Sequence, residues 1–230
     1  MDLSIEAEAF GASVRFAPDE VPAVTGQLVP DEDAAKALAV PDLARGRVPV
    51  SLAAIAAEKA QIADKPLLAG VIGPFSLAGR LMDVSEILYA CVDEPETVHL
   101  VVEKAAQFVT SYIQALREAG ADGVVMAEPL AGVLSPAMME EFSCGAVQAV
   151  ISAVQRADFP VVYHNCGRLA PAAYPMLADL GAAAYHFGNA IQMADALAAM
   201  PRDVLVMGNV DPAGVLTSGT PARVREATLA

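Results

Sequence analysis

The chain has 230 residues, 55% hydrophobic and 18% charged, which excludes a disordered polypeptide and leaves enough apolar material for a large core. Fourteen Lys and Arg stand against 28 Asp and Glu, a formal charge of −14, so a nucleic-acid surface and an anionic membrane surface are both disfavoured. Charge-free runs such as Pro66–Gly79 fall short of the ~18 apolar residues that a membrane helix needs.

The first ten residues, MDLSIEAEAF, are acidic and lack the basic start of a secretory signal. Three cysteines at unrelated positions do not make a disulfide framework, and a reduced, cytoplasmic protein is the expectation. No linker or short-period repeat divides the chain. Pro22 to Pro49 is the least regular stretch and reads as loop with a short helix around Asp31–Ala39. From Ser51 onward, helices and apolar strands alternate. Ser51–Ala63 reads as helix and Leu67–Ile72 as strand, ending in a tight turn at Gly73-Pro74-Phe75. Asp93 is placed to cap a helix that has Pro95 in its first turn and stops at Ala119–Gly120. Val98, Val101, Val102, Ala105, Val109, Tyr112 and Leu116 give that helix its apolar face.

Gly123–Ala127 is the next strand, and Ser135-Pro136 opens a helix to about Arg156. Strand Val161–Tyr163, helix Pro171–Leu180, strand Ala182–Tyr185, helix Met193–Met200 and strand Asp203–Met207 follow. Thr220-Pro221 starts a helix that reaches Ala230. Such alternation predicts βαβ crossovers and a parallel sheet covered on both faces. An open doubly wound sheet and a (β/α)₈ barrel both satisfy it. About five strand–helix units are clear where a barrel has eight.

Polar residues collect at the carboxyl ends of these strands. Glu128 follows GVVMA, His164 and Cys166 follow VVY, His186 follows AAAY, and Asn209 and Asp211 follow DVLVMG. In parallel α/β folds that rim is where ligands bind. In extended backbone His164 and Cys166 face the same way, and an imidazole with a thiolate suits Zn²⁺. A hydrogen-bonded histidine beside an inert cysteine satisfies the same spacing. Glu128 reads as an acid, a base, a ligand, or a carboxylate bonded to nearby backbone. His186 reaches the same rim or sits satisfied in the core, and Asp211-Pro212 has the form of a turn cap. Cys91, Cys144 and His99 lie on predicted helices and read as packing residues.

GVIGPFSLAGRLMD, EAGADGVVMAEPLAGVLSP, YHNCG and VLVMGNVDP, in this order, resemble the uroporphyrinogen decarboxylase superfamily, over roughly Ile5 to Ala230. The resemblance implies an α/β fold of (β/α)₈ TIM-barrel type. It implies one domain over 1–230, incomplete, with the first and last strand units missing. One branch of the superfamily decarboxylates uroporphyrinogen without a cofactor. The other moves a methyl group from a methylated corrinoid protein to a small thiol, with Zn²⁺. The His-x-Cys pair marks the second branch, so the resemblance implies His164 and Cys166 as metal ligands. The third ligand, a cysteine of the last barrel strand, has no counterpart here. Glu128 and His186 would then be catalytic or complete the coordination, and Phe75, Asn165, Asn209 and Asp211 would contact substrate. The decarboxylase, and a non-catalytic relic that binds corrinoid or thiol, remain alternatives.

Overall fold

The computed structural model describes residues 2–62 and 64–229. Helix α1 (Ile5–Phe10) leads into an antiparallel pair, β1 (Ser13–Arg15) and β2 (Ala23–Thr25), with α2 (Glu32–Ala37) and α3 (Val48–Lys59) after it. The main sheet then begins. Strand β3 (Leu68–Ile72) is followed by α4 (Pro74–Met82), α5 (Val84–Asp93) and α6 (Pro95–Glu118). Strand β4 (Gly123–Ala127) leads to α7 (Pro136–Met139), a π-helical stretch Glu140–Cys144, and α8 (Gly145–Val154). The remaining units are β5 (Val161–Asn165) with α9 (Ala173–Ala178), β6 (Ala184–Phe187) with α10 (Met193–Ala199), and β7 (Leu205–Met207) with α11 (Pro221–Leu229). All five strands of the main sheet are parallel and adjacent in sequence order, β3-β4-β5-β6-β7. That unbroken order is the winding of a (β/α) barrel wall. A doubly wound sheet reverses its order partway.

The strands form where Val, Ala, Met and Tyr run continuously, because both faces of a covered sheet exclude water. Helix α6 buries every residue predicted for its apolar face, and Phe108 and Ile113 besides. Full burial of one such Val, Leu or Phe side chain contributes about 1.5–3 kcal/mol. The helix packs on α4, α5 and α8. It stops where Gly120 adopts φ +110°, with Gly120 and Ala121 N–H groups donating to Arg117 and Leu116 carbonyls.

Several boundaries differ from the sequence expectation. Gly73-Pro74-Phe75 is not a tight turn, since Pro74 occupies the first position of α4. Asp93 closes α5 and does not cap α6. The residue before Pro95 is Glu94, whose side chain makes no cap bond to the helix backbone. Strand β5 runs two residues past the apolar run. Its later carbonyls still find partners: Glu128 N–H donates to His164 O at 2.8 Å and Gly188 N–H to Asn165 O at 3.1 Å. Strand β6 lies two residues later than expected, so His186 sits within it. The helix expected over Ser51–Ala63 starts at Val48, and Ala63 lies outside the described residues, as does Ala230 at the end of the last helix.

The edge of the sheet at β3 is tied to α1 by one buried carboxylate. Ile72 N–H donates to Glu6 Oε1 at 3.0 Å, and Glu6 Oε2 has no partner. The guanidinium of Arg47 is engaged with Asp2, Ser4 and Glu8 instead. Burial pushes Glu6 up to about 7. Because the folded protein holds this proton above the pH at which the unfolded chain releases it, stability should fall as pH rises from about 4.5 to 7 and then level off. Glu6→Gln removes this contribution. Its effect on stability, measured by urea unfolding, should be more favourable at pH 8 than at pH 5 by on the order of 3 kcal/mol. An identical effect at both pH values would show that Glu6 is ionised in the fold.

Candidate functional site

Parallel pairing sets the site. The register aligns Ile72 with Ala127, Ala127 with His164, His164 with His186, and His186 with Met207. Residues so paired present their side chains on one face of the sheet. His164 and His186, both half-buried, therefore stand side by side at the carboxyl end of neighbouring strands. Their ring centroids are 4.7 Å apart with planes 40° from parallel, and the two Nδ1 atoms approach to 2.7 Å. His164 Nδ1 is also 3.0 Å from the carbonyl oxygen of His186. Burial, then the neighbouring imidazole, hold the His186 pKa below the usual histidine value. A neutral imidazole keeps a free lone pair, which ligation or proton acceptance requires.

Cys166 is exposed and lies just past the end of β5. Its backbone runs against the β6 loop: a Cβ placed on Gly188 would come within 2.7 Å of Cys166 Cα, so only glycine lets the two loops pass. Asn165 beneath it is fully buried and organises the turn. Its amide donates to Glu128 O at 2.8 Å, and its Oδ1 accepts from Gly167 N–H at 2.8 Å. Cys91 and Cys144 are packed on α5 and the π-helical stretch, where burial pushes both thiols up to about 11. His99 stacks on Phe142 at 4.8 Å. All three are the packing residues that their helical positions suggested.

Glu128 is fully buried. Its carboxylate accepts from Ser76 N–H at 2.5 Å and Phe75 N–H at 3.2 Å, the unpaired amides at the start of α4. An anion is favoured there by the helix dipole, yet burial wins and pushes Glu128 up to about 7. The carboxylate thus pins the β3–α4 corner to the end of β4. Phe75, expected to touch substrate, is fully buried, and its N–H is one of the two amides that Glu128 accepts from. Asn209 donates to the carbonyls of Gly188 at 3.0 Å and Ile191 at 2.5 Å, which ties the end of β7 to the loop after β6. Asp211 accepts from Ala213 and Gly214 N–H groups, the turn cap expected of Asp-Pro. The rim therefore gathers His164 and His186 directly. Glu128, Asn165, Asn209 and Asp211 are engaged in holding its loops.

Sequence reasoning did not find the partnership of Gly73 with Glu128. A Cβ on Gly73 would fall 2.1 Å from Glu128 Oε2 and 2.6 Å from its carboxyl carbon. A glycine between a strand and an N1 proline was the signal available. Because that carboxylate is bonded to two backbone amides, it cannot swing away without leaving them unsatisfied. Gly73→Ala should then destabilise the fold by roughly 2–4 kcal/mol. Adding Glu128→Ala should restore part of the loss, because the collision goes with the carboxylate. Chemical denaturation of both singles and the double measures this, and strict additivity would refute the contact.

Among the described residues no three His, Cys, Asp or Glu side chains gather as a metal cluster, and no helix is long and apolar enough to cross a membrane. A sequence profile of the family described as uroporphyrinogen decarboxylase (URO-D) matches residues 1–230. A uroporphyrinogen decarboxylase of Desulfotalea psychrophila is 29% identical over 99% of this chain and 67% of its own length. The methylcobamide:CoM methyltransferase MtbA of Methanosarcina acetivorans is 25% identical over 99% of this chain and 67% of its own length. Among solved structures, a methyltransferase from Methanosarcina mazei superposes with a TM-score of 0.90 at 25% identity, covering 98% of this chain and 67% of that one. The chain thus spans about two thirds of these relatives, and 64% of a Neisseria meningitidis decarboxylase. The consecutive parallel strands, the rim at their carboxyl ends and the full-length profile match together place this chain in the uroporphyrinogen decarboxylase family.

Proposed function

We propose that this chain carries the central part of a methyltransferase that takes a methyl group from a methylated corrinoid protein to a small thiol, with Zn²⁺ at His164 and Cys166. Residues 1–230 are read as one incomplete barrel domain of it. The observation that carries this reading is the donor set at the end of β5. It comprises a half-buried imidazole with its Nδ1 2.7 Å from a second imidazole, and an exposed thiol two residues on. Nitrogen and sulfur donors of this kind suit a borderline-soft cation better than the oxygen-seeking Mg²⁺ or Ca²⁺. When bound, such a cation lowers the pKa of a coordinated thiol from its usual ~8.5, so that the thiolate is available at neutral pH.

The chain's own residues prepare that place. Asn165 fixes the turn that presents Cys166, and Gly188 keeps the adjacent loop close against it. Glu128 acts as a positioning residue, locking α4 to the end of β4 so that the rim keeps its shape. Asn209 and Asp211 shape the wall that substrate would meet after β7. His164→Ala or Cys166→Ala should each lower zinc retention by about tenfold or more, as read by metal analysis after dialysis against a weak chelator. Undiminished zinc in both variants would end the assignment.

The decarboxylase is kept as a second reading because relatives carrying that name reach 29% identity, against 25% for the methyltransferase. Two assays separate the readings. Methyl transfer predicts thiol-dependent loss of the methyl–cobalt absorbance of a methylated corrinoid. Decarboxylation predicts coproporphyrinogen from uroporphyrinogen without metal.

A further inference from the structure

We propose that His186 is itself a ligand, supplying a second imidazole nitrogen from β6 to the cation held by His164 and Cys166. The inference rests on the metal reading above and extends it to a residue that the His-x-Cys spacing does not include.

The geometry points to a chelate. His164 and His186 are register partners on adjacent parallel strands, so their Cα positions are held by the ladder. Their rings are inclined by 40°, which brings the two Nδ1 edges together at 2.7 Å. The carbonyl of His186, 3.0 Å from His164 Nδ1, lies in the same small volume. Three electron-rich atoms converge there. In the absence of a cation, one imidazole proton is shared among them. A divalent cation satisfies the same lone pairs and releases that proton to solvent.

The distances are close to what such a cation takes. Two nitrogens bound tetrahedrally at ~2.0–2.1 Å stand about 3.3 Å apart, so the pair has to open by only about 0.6 Å. Small rotations about the side-chain bonds provide it, because both histidines are half-buried and not fully enclosed. Their neighbours along the row are Ala127 and Met207. Neither brings a charge that competes with a cation. The two imidazoles are the paired part of the site, and Cys166 follows His164 by two residues, exposed just past the end of β5.

Co²⁺ is the probe. The protein should bind it with a near-ultraviolet thiolate-to-cobalt band from Cys166 and the visible bands of a four-coordinate site. His186→Gln should weaken Co²⁺ binding by roughly tenfold or more and shift the visible bands while the thiolate band persists. X-ray absorption of the unmutated protein loaded with Zn²⁺ should count two imidazoles and one sulfur, a readout that does not depend on how the variant folds. Equal Co²⁺ affinity in His186→Gln, or a single imidazole in the absorption spectrum, overturns the role of His186 and leaves the His164–Cys166 reading standing. Failure of the unmutated protein to bind either ion overturns both.

Discussion

The register of the parallel ladder governs what meets at the mouth of this sheet. Each strand is paired with the next without a slip, so Ala127, His164, His186 and Met207 form one row. A shift of one residue in β6 would turn His186 toward the helices and bring Tyr185 to the rim, because side chains alternate between the faces. Burial of Tyr185, which bonds Ala178 O and Ala182 N–H on the helix side, opposes that shift. The apolar core therefore enforces the polar geometry. Two imidazoles are held in contact by packing on the opposite face of the sheet.

Around that row the loops are fastened by buried polar groups. Glu128 meets the amides of α4, Asn165 meets the backbone on both sides of it, and Glu6 holds the outer edge of β3. Each is a carboxylate or amide in a place where glycine leaves no spare volume or where burial opposes charge. The cost of burying Glu6 and Glu128 appears in their raised pKa values, about 7 for both. It is offset by backbone amides that would otherwise be left unpaired. Glu128, which the sequence offered as acid, base, ligand or backbone-bonded carboxylate, is fully buried and accepts from two backbone amides of α4.

The comparisons and the geometry bear on different questions. Relatives bearing both the decarboxylase and the methyltransferase name cover nearly all of this chain, and a solved methyltransferase shares its fold. The fold does not choose a reaction. The choice rests on the nitrogen and sulfur donors at β5 and β6, which is why the metal-binding measurements carry the functional argument.

Much of this was legible in the residues alone. Continuous apolar runs between helical patterns announced a parallel sheet, since strands covered on both faces have no reason to alternate. The position of Glu128, His164, Cys166, His186, Asn209 and Asp211 just after such runs announced the rim. The apolar face of α6 followed from its spacing. Tertiary structure decided the rest. It started α4 at Pro74, because a buried helix can begin wherever a carboxylate such as Glu128 meets its free amides, and that carboxylate is 54 residues away from Pro74 in the chain. It carried β5 through His164 and Asn165, because ladder bonds depend on the neighbouring strand and not on side-chain polarity. It also set His186 against His164. Periodicity speaks only of residues a few positions apart, whereas contact between these two, 22 positions apart, is fixed by how one strand registers on the next.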